Sequence, residues 1–262
     1  MRLHEKYCRA LGINLSATPL SLLRELVREH LANYSFSNTE ILLHPKKIHS
    51  LEPQEILDKI VVKKRGGYCF EHNNLMFHVL SGLGFEVNTH LARVVYGQHE
   101  DVPRTHQFNV VRIEDKSFLV DVGFGPYTPP TPVPFGKREE CPYWIADRGN
   151  LFELLSMKDG KEFVFYTFTL DKCTPADFKI SHYYTSTHPE SKFVTTLVAS
   201  RVTENKTIFV NNTNFNVIEN GEKISEEISS ENRLSEILTK EAGLNYGRDE
   251  ASFLYQFIDR LR

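Results

Sequence analysis

Cysteine is scarce in this sequence. Among 262 residues there are four, Cys8, Cys69, Cys141 and Cys173, too few and too scattered for a disulfide scaffold. No two stand as Cys-x-x-Cys, which excludes a zinc ribbon or a thioredoxin-type pair. No apolar run is long enough to cross a bilayer, and the start Met1-Arg2-Leu3-His4-Glu5-Lys6 lacks the apolar centre of a signal peptide. An excess of one charge is missing too. Lys and Arg number 31 and Asp and Glu 34, a net charge of −3 with His neutral, so there is no broad basic field for nucleic acid or an anionic membrane. Repeats and low-complexity tracts are absent. The remainder, 40% hydrophobic and 25% charged, is ordinary for a soluble protein with a sizeable core. The expectation is a reduced, cytoplasmic, soluble protein without nucleic-acid or membrane partners. In that setting a cysteine is either buried filler or chemistry.

The texture changes twice along the chain. Up to about Phe85 it reads as helical. Thr18-Pro19 starts a helix carrying Leu22, Leu23, Leu26, Val27 and Leu31 on one face. Glu52-Pro53 starts another through Ile60 and Val61, ending on Lys63-Lys64. A third spans Cys69 or Phe70 to Leu83, with Gly84 as its terminator. From Val87 to about Leu170 the period shifts towards two. Strands are expected at Val87–Tyr96, Gln107–Ile113 and Phe118–Phe124, and a hairpin turns at Asp159-Gly160. The stretch Pro126 to Pro134 is too rich in proline for a helix or central strand and reads as an ordered surface loop. In the last third, strands at Thr207–Val210 and Phe215–Ile218 precede a turn at Asn220-Gly221. The charged run Glu222 to Glu231 reads as a solvated turn and helix entrance, and helices cover about Glu231–Ala242 and Asp249–Leu261. Helices, then strands, then a mixed segment argue for an α+β protein in three parts, 1–85, 86–175 and 176–262.

The most informative stretch is Arg65-Gly66-Gly67-Tyr68-Cys69-Phe70-Glu71-His72-Asn73. Paired glycines permit unusual backbone angles and a close approach to the main chain. A cysteine at a helix N-terminus gains from the dipole and the free N–H groups, and Arg65 adds positive charge nearby. The same N–H groups suit an oxyanion in acyl transfer. Against this stands the plain alternative of a small buried side chain beside a tight turn. A nucleophilic thiol also needs a base, and the base needs an orienting group. With eleven histidines present, presence alone decides nothing. His30, His44, His49, His72 and His78 read as surface or packing residues. His106 opens a strand, and Asp121, fifteen positions on, lies inside an apolar run where an unpartnered acid is costly. If Glu114-Asp115 is a two-residue turn, Ile113 faces Lys116, and His106 and Asp121 fall on one face of the sheet, diagonal to each other. A three-residue turn would separate them. Such a pair serves either as the orienting half of a triad or as a satisfied structural contact.

These residues give the sequence a resemblance to the arylamine N-acetyltransferase family. Arg65 to Asn73 match that family's Arg-Gly-Gly-x-Cys-Phe-Glu-x-Asn signature. His106 to Val111 and Asp121 to Gly125 resemble its His-x-x-Asn-x-Val and Asp-Val-Gly-Phe-Gly elements. Asp177-Phe178, with Tyr184, Ser186, Thr187, Pro189, Ser191 and Phe193, resembles the segment entering its final domain. One departure stands out. In Ser35-Phe36-Ser37-Asn38-Thr39, Ser37 occupies the place of the family's usual glutamate, which removes the natural partner of Arg65.

The resemblance implies a helical bundle, a β-barrel and an α/β lid around a core like that of the cysteine proteases. It implies ping-pong N-acetylation: Cys69 takes the acetyl group of acetyl-CoA, His106 moves protons, Asp121 orients His106, and an arylamine or arylhydrazine accepts the acetyl group. Gly123, Phe124 and Gly125 would accommodate phosphate and line the pocket, although the glycines have a plain reading as a strand's exit into the proline loop. Thr105 would touch the pantetheine arm, and Phe36, Tyr68 and Phe124 would form an aromatic wall. Arg65, Gly66 and Gly67 would support the motif. No metal and no resident cofactor are expected. Two rival readings keep the triad: a cysteine amidohydrolase or transglutaminase-like enzyme, and an amide synthase that closes a macrolactam. A non-catalytic CoA or acyl binder is the third, and the intact Cys69, His106 and Asp121 argue against it.

Overall fold

The structure is a computed structural model that describes residues 1–97, 101–136 and 141–262. Its first third is helical. Helix α1 (Leu3–Leu11) ends on Gly12, whose φ of 66° closes the last turn. Helix α2 (Pro19–Asn33) begins with proline in its first turn and buries Leu22, Leu23, Leu26, Val27 and Leu31, the stripe its sequence spacing predicts. Strand β1 (Phe36–Ser37) and helices α3 (Thr39–Leu43) and α4 (Pro53–Leu57) follow. A wider π turn over Asp58–Val62 then leads to α5 (Cys69–Gly82). Tyr7, Leu23, Leu26, Ile56, Ile60, Leu75, Met76 and Leu80 are fully buried together. Each large apolar side chain withdrawn from water stabilises the fold by about 1.5–3 kcal/mol.

Strands dominate the middle: β2 (Glu86–Val94), β3 (Arg104–Ile113), β4 (Lys116–Val120), β5 (Val133–Pro134), β6 (Tyr143–Asp147), β7 (Phe152–Lys158) and β8 (Lys161–Phe168). They form one seven-stranded antiparallel sheet in the order β5-β4-β3-β2-β8-β7-β6. Its two end strands, β5 and β6, lie against each other, so the sheet is a nearly closed barrel. The β3–β4 hairpin has the two-residue turn the sequence suggests, with Ile113 opposite Lys116. Strand β4 nevertheless stops at Val120 instead of running to Phe124. Beyond it the main chain finds side-chain acceptors: Val122 N–H donates to Asn73 Oδ1 and Gly123 N–H to Asp121 Oδ1, both at 2.9 Å. The proline stretch is also less superficial than expected. Thr128, Pro129, Pro132 and Val133 are buried, and Val133–Pro134 pairs with β4 at the sheet's end, where a missing N–H is tolerated.

The last third comprises α6 (Pro175–Thr187), α7 (Lys192–Thr195), β9 (Val198–Val202), β10 (Lys206–Asn211), β11 (Asn214–Glu219), β12 (Glu222–Glu227), α8 (Glu231–Glu236) and α9 (Arg248–Asp259). A second sheet runs β1-β9-β10-β11-β12, so a strand from the first third completes it. The run after Asn220-Gly221 is therefore an edge strand and not a solvated turn. Every residue of β12 is exposed. Without an apolar face the run carries no period-two signal, and its charges discourage pairing with another chain. Among the described residues, no helix is long and apolar enough to cross a membrane.

A polar chain threads the helical core. Tyr7 Oη donates to His30 Nδ1 (2.7 Å), His30 Nε2 contacts His72 Nδ1 (2.7 Å), and His72 Nε2 contacts the Ser35 carbonyl (3.1 Å). A carbonyl only accepts, so His72 carries its proton on Nε2 and His30 donates to His72 Nδ1. Of the histidines read as surface or packing residues, these two are wholly buried.

Burial lowers the His72 imidazole to about 4, against weaker opposing pulls led by Glu71. An unfolded His72 binds a proton below about pH 6.5. Acidification through that window therefore favours the unfolded chain, whereas above it both states are neutral and the effect vanishes. Between pH 7 and 5, His72 alone should cost on the order of 2 kcal/mol. Urea midpoints at the two pH values should show this loss, and it should shrink in His72→Gln.

Candidate active site

Cys69 is the first residue of α5 and is 2% exposed. The loop before it is tied down from within the motif. Glu71 Oε2 accepts the Tyr68 N–H at 3.2 Å, while Glu71 Oε1 pairs with Lys59 Nζ at 2.6 Å. Cys69 Sγ lies 3.7 Å from the Thr105 carbonyl. The next residue of β3, His106, turns its side chain into the barrel. Its Nε2 meets Asp121 Oδ2 at 2.6 Å, and its ring lies close enough to the Cys69 thiol for the two to interact electrostatically. With Nε2 engaged by the carboxylate, Nδ1 is the nitrogen left for a proton from the thiol.

Asp121 is 2% exposed and accepts four hydrogen bonds. His106 Nε2 and Tyr166 Oη (3.1 Å) share Oδ2, while Asn73 Nδ2 and Gly123 N–H (both 2.9 Å) share Oδ1. Burial would raise this carboxyl, but the His106 charge and the donated hydrogen bonds hold it below the ordinary range. Burial would likewise depress His106. The Asp121 charge and hydrogen bond, with the Cys69 contact, outweigh it and hold the imidazole above its usual value. The buried line Cys69–His106–Asp121 can thus move a proton from sulfur to nitrogen and stabilise the resulting imidazolium.

Asn73 and Tyr166 are the site residues to which the sequence reading gave no role. Asn73 follows Cys69 by one helical turn and so shares its face. Besides Asp121, its Nδ2 reaches the Gln107 carbonyl at 2.6 Å, and its own carbonyl accepts from Asn109 Nδ2 at 2.9 Å. The four-residue spacing was the available signal. Tyr166, on β8, carried none.

The other expected residues divide. Phe124 packs edge-on to His106, centroids 4.8 Å apart, within the barrel's aromatic cluster. Phe36 stacks over His72 and abuts Phe193. Tyr68 is 1% exposed, with its hydroxyl on His182 Nδ1. Phe193 bridges Phe36 and Tyr68, with ring centroids 6.0 and 5.7 Å away, while Phe124 belongs to the barrel cluster. A Cβ on Gly123 would lie 2.9 Å from both Cys69 Cα and Asn73 Nδ2, so a close approach dictates this glycine. Gly125, at φ 66°, starts the short turn Gly125–Tyr127. The Arg65 guanidinium lies between Glu40 and Glu250 instead of lending its charge to the thiol. Thr105 borders a cavity of about 370 Å³ that Leu91, Arg104, Lys172, Cys173 and Tyr184 also line. Among the described residues, no group of His, Cys, Asp or Glu is arranged to hold a metal ion.

The sequence model of the N-acetyltransferase family matches residues 19–251. An arylamine N-acetyltransferase of Mycobacterium tuberculosis is 39% identical over 195 residues, covering 71% of this chain and 69% of its own. Among solved structures, M. smegmatis arylamine N-acetyltransferase superposes with a TM-score of 0.89 at 30% identity over 99% of both chains. The M. marinum enzyme, solved in complex with CoA, gives a TM-score of 0.88 at 28% identity over 97% of both.

Gly123→Ala places a methyl against main chain that cannot give way. It should destabilise the protein by about 1–3 kcal/mol and slow alkylation of Cys69 by iodoacetamide. Thermal melts and labelling rates check both, and Gly136→Ala, with open space around its Cβ position but φ 92°, controls for backbone strain alone.

Proposed function

Because the chain belongs to the arylamine N-acetyltransferase family, we propose that it moves an acetyl group from acetyl-CoA to an aromatic amine or hydrazine through an acetyl-Cys69 intermediate. The observation that carries this reading is the buried line from Cys69 through His106 to Asp121. In the first half-reaction His106 takes the thiol proton, and the Cys69 sulfur attacks the thioester carbon. The resulting oxyanion is assigned to the N–H groups of Cys69 and Phe70 at the very start of α5, since those of Glu71 and His72 already donate to the Tyr68 carbonyl. Collapse breaks the bond to the CoA sulfur, and His106 returns its proton to that leaving group. In the second half-reaction an amine nitrogen attacks acetyl-Cys69, gives its proton to His106, and releases the Cys69 thiol. Asp121 stays ionised throughout and holds the ring in place.

In this reading residues 1–85 supply the nucleophile, 86–175 the histidine and aspartate, and 176–262 enclose the site. The cavity beside Thr105 gives the donor a route to sulfur. Arg104 and Lys172 in its lining offer positive charge to a phosphate-bearing ligand that the net charge of −3 does not attract. The complex of the M. marinum relative with CoA supports the choice of donor. Gly123 lies against Cys69, Phe124 against His106 and Phe36 near Gly125, and none of them lines that cavity, so the acceptor amine is assigned to their side.

Incubation with acetyl-CoA and no amine should add one acetyl group at Cys69, seen in the intact mass and lost when an arylamine is supplied. Cys69→Ala should abolish both half-reactions while still binding CoA. Unmodified wild-type protein, or acetyl transfer that persists in the alanine variant, would overturn the covalent mechanism.

A further inference from the structure

We infer that the C-terminal segment 244–250 is a strap that positions the nucleophile: through Arg65, its residues Tyr246 and Glu250 set the loop that presents Cys69. The inference concerns the attacking thiol and so rests on the proposed reaction for its functional meaning.

The geometry centres on one guanidinium, whose five N–H bonds match five contacts. Nε and one hydrogen of Nη2 go to Glu40 Oε1, at 2.9 and 2.5 Å. The other Nη2 hydrogen goes to Glu250 Oε1 at 2.5 Å, and Nη1 reaches Glu250 Oε2 at 2.9 Å and the Asn245 carbonyl at 2.8 Å. The Tyr246 ring lies under the guanidinium, 4.0 Å from its carbon. A planar fork gripped on three edges and one face is fixed in orientation as well as in place.

The strap also holds main chain. Asn245 N–H donates to the Lys64 carbonyl at 2.9 Å, and Tyr246 Oη to the Arg65 carbonyl at 2.8 Å. At Gly66, φ is 66°, and a Cβ there would lie 2.8 Å from the Leu244 side chain and 2.9 Å from the Ser35 carbonyl. On the opposite flank, Ser37 N–H donates to the Gly67 carbonyl at 2.6 Å. Four consecutive residues, Lys64 to Gly67, are thus clamped between β1 and the strap, and Cys69 follows two residues later. The acid at position 40 and the acid at position 250 both serve Arg65 where Ser37 has no charge to offer. Arg65 and Glu40 are part-buried, at 17% and 15% side-chain exposure, and Glu250 is more open at 35%.

Glu250→Gln keeps the shape and removes the charge, and Tyr246→Phe keeps the ring and removes the hydroxyl that bonds the Arg65 carbonyl and Thr39 Oγ1. Two rates are read on folded protein, alongside thermal midpoints: acetylation of Cys69 by acetyl-CoA and alkylation of Cys69 by iodoacetamide. With the strap as a positioning device, Glu250→Gln loses about tenfold or more in the limiting acetylation rate. The acetyl-CoA concentration for half-maximal rate changes little, alkylation slows in parallel, Tyr246→Phe shows a smaller loss of the same kind, and Glu250→Asp recovers part of it. A lower melting temperature with both rates unchanged per folded molecule would overturn the inference and leave the strap purely structural. If the wild-type protein is not acetylated at all, the proposed reaction fails, and alkylation, which needs no donor, still decides the strap: slowed supports it, unchanged overturns it.

Discussion

Asp121 is an ionised carboxylate almost without access to water, and much of the structure is arranged around making that tolerable. An isolated charge in such a place is prohibitively costly, and it survives only when paired and fully hydrogen-bonded. The four donors come from separate parts of the chain: β3 gives His106, α5 gives Asn73, β8 gives Tyr166, and the chain just after Asp121 gives Gly123 N–H. Satisfying one side chain therefore fixes how the helix docks on the barrel. It also explains why β4 ends where it does, since the N–H groups of Val122 and Gly123 are claimed by Asn73 and Asp121.

The start of α5 repeats this logic over six consecutive residues. Tyr68 is bonded to His182, Glu71 to Lys59, His72 to His30 and Asn73 to Asp121, while Cys69 interacts electrostatically with His106 and Phe70 is fully buried among apolar neighbours. A helix turns about 100° per residue, so successive side chains leave in different directions and meet different elements. No rotation or slide of α5 preserves all of these contacts. The sulfur thereby acquires a defined position although a thiol makes only weak hydrogen bonds of its own.

That arrangement also explains what was legible in the sequence. Parity across a two-residue turn was enough to put His106 and Asp121 on one face, because a strand alternates strictly and the turn was correctly read. The amphipathic stripe of α2 and the Asp159-Gly160 hairpin were legible for the same reason: each is a local pattern with one structural solution. Tyr166 was not, since nothing near it differs from any strand tyrosine. The partners of Arg65 lie 25 and 185 positions away, and no local rule connects them. The edge strand β12 failed differently. Its residues are solvated on both faces, so the burial that imprints a period on other strands never acted on it.

Charge supplies the last step. Positive groups near the nucleophile are largely consumed by the fold. Arg65 lies between two carboxylates, Lys59 is paired with Glu71, and His106 with Asp121. The signature's arginine thus contributes shape more than potential, and its electrostatic value ends within a few ångströms at Glu40 and Glu250. In the proposed reaction, attraction of an anionic donor then falls to groups the signature does not contain, the cations lining the cavity. Separating these tasks has a physical advantage. A cation locked into a buried network cannot reorganise when a ligand arrives, whereas a partly solvated one can exchange water for phosphate at little cost. The position of the thiol and the recruitment of its substrate are therefore governed by different charges, and changes to one set need not disturb the other.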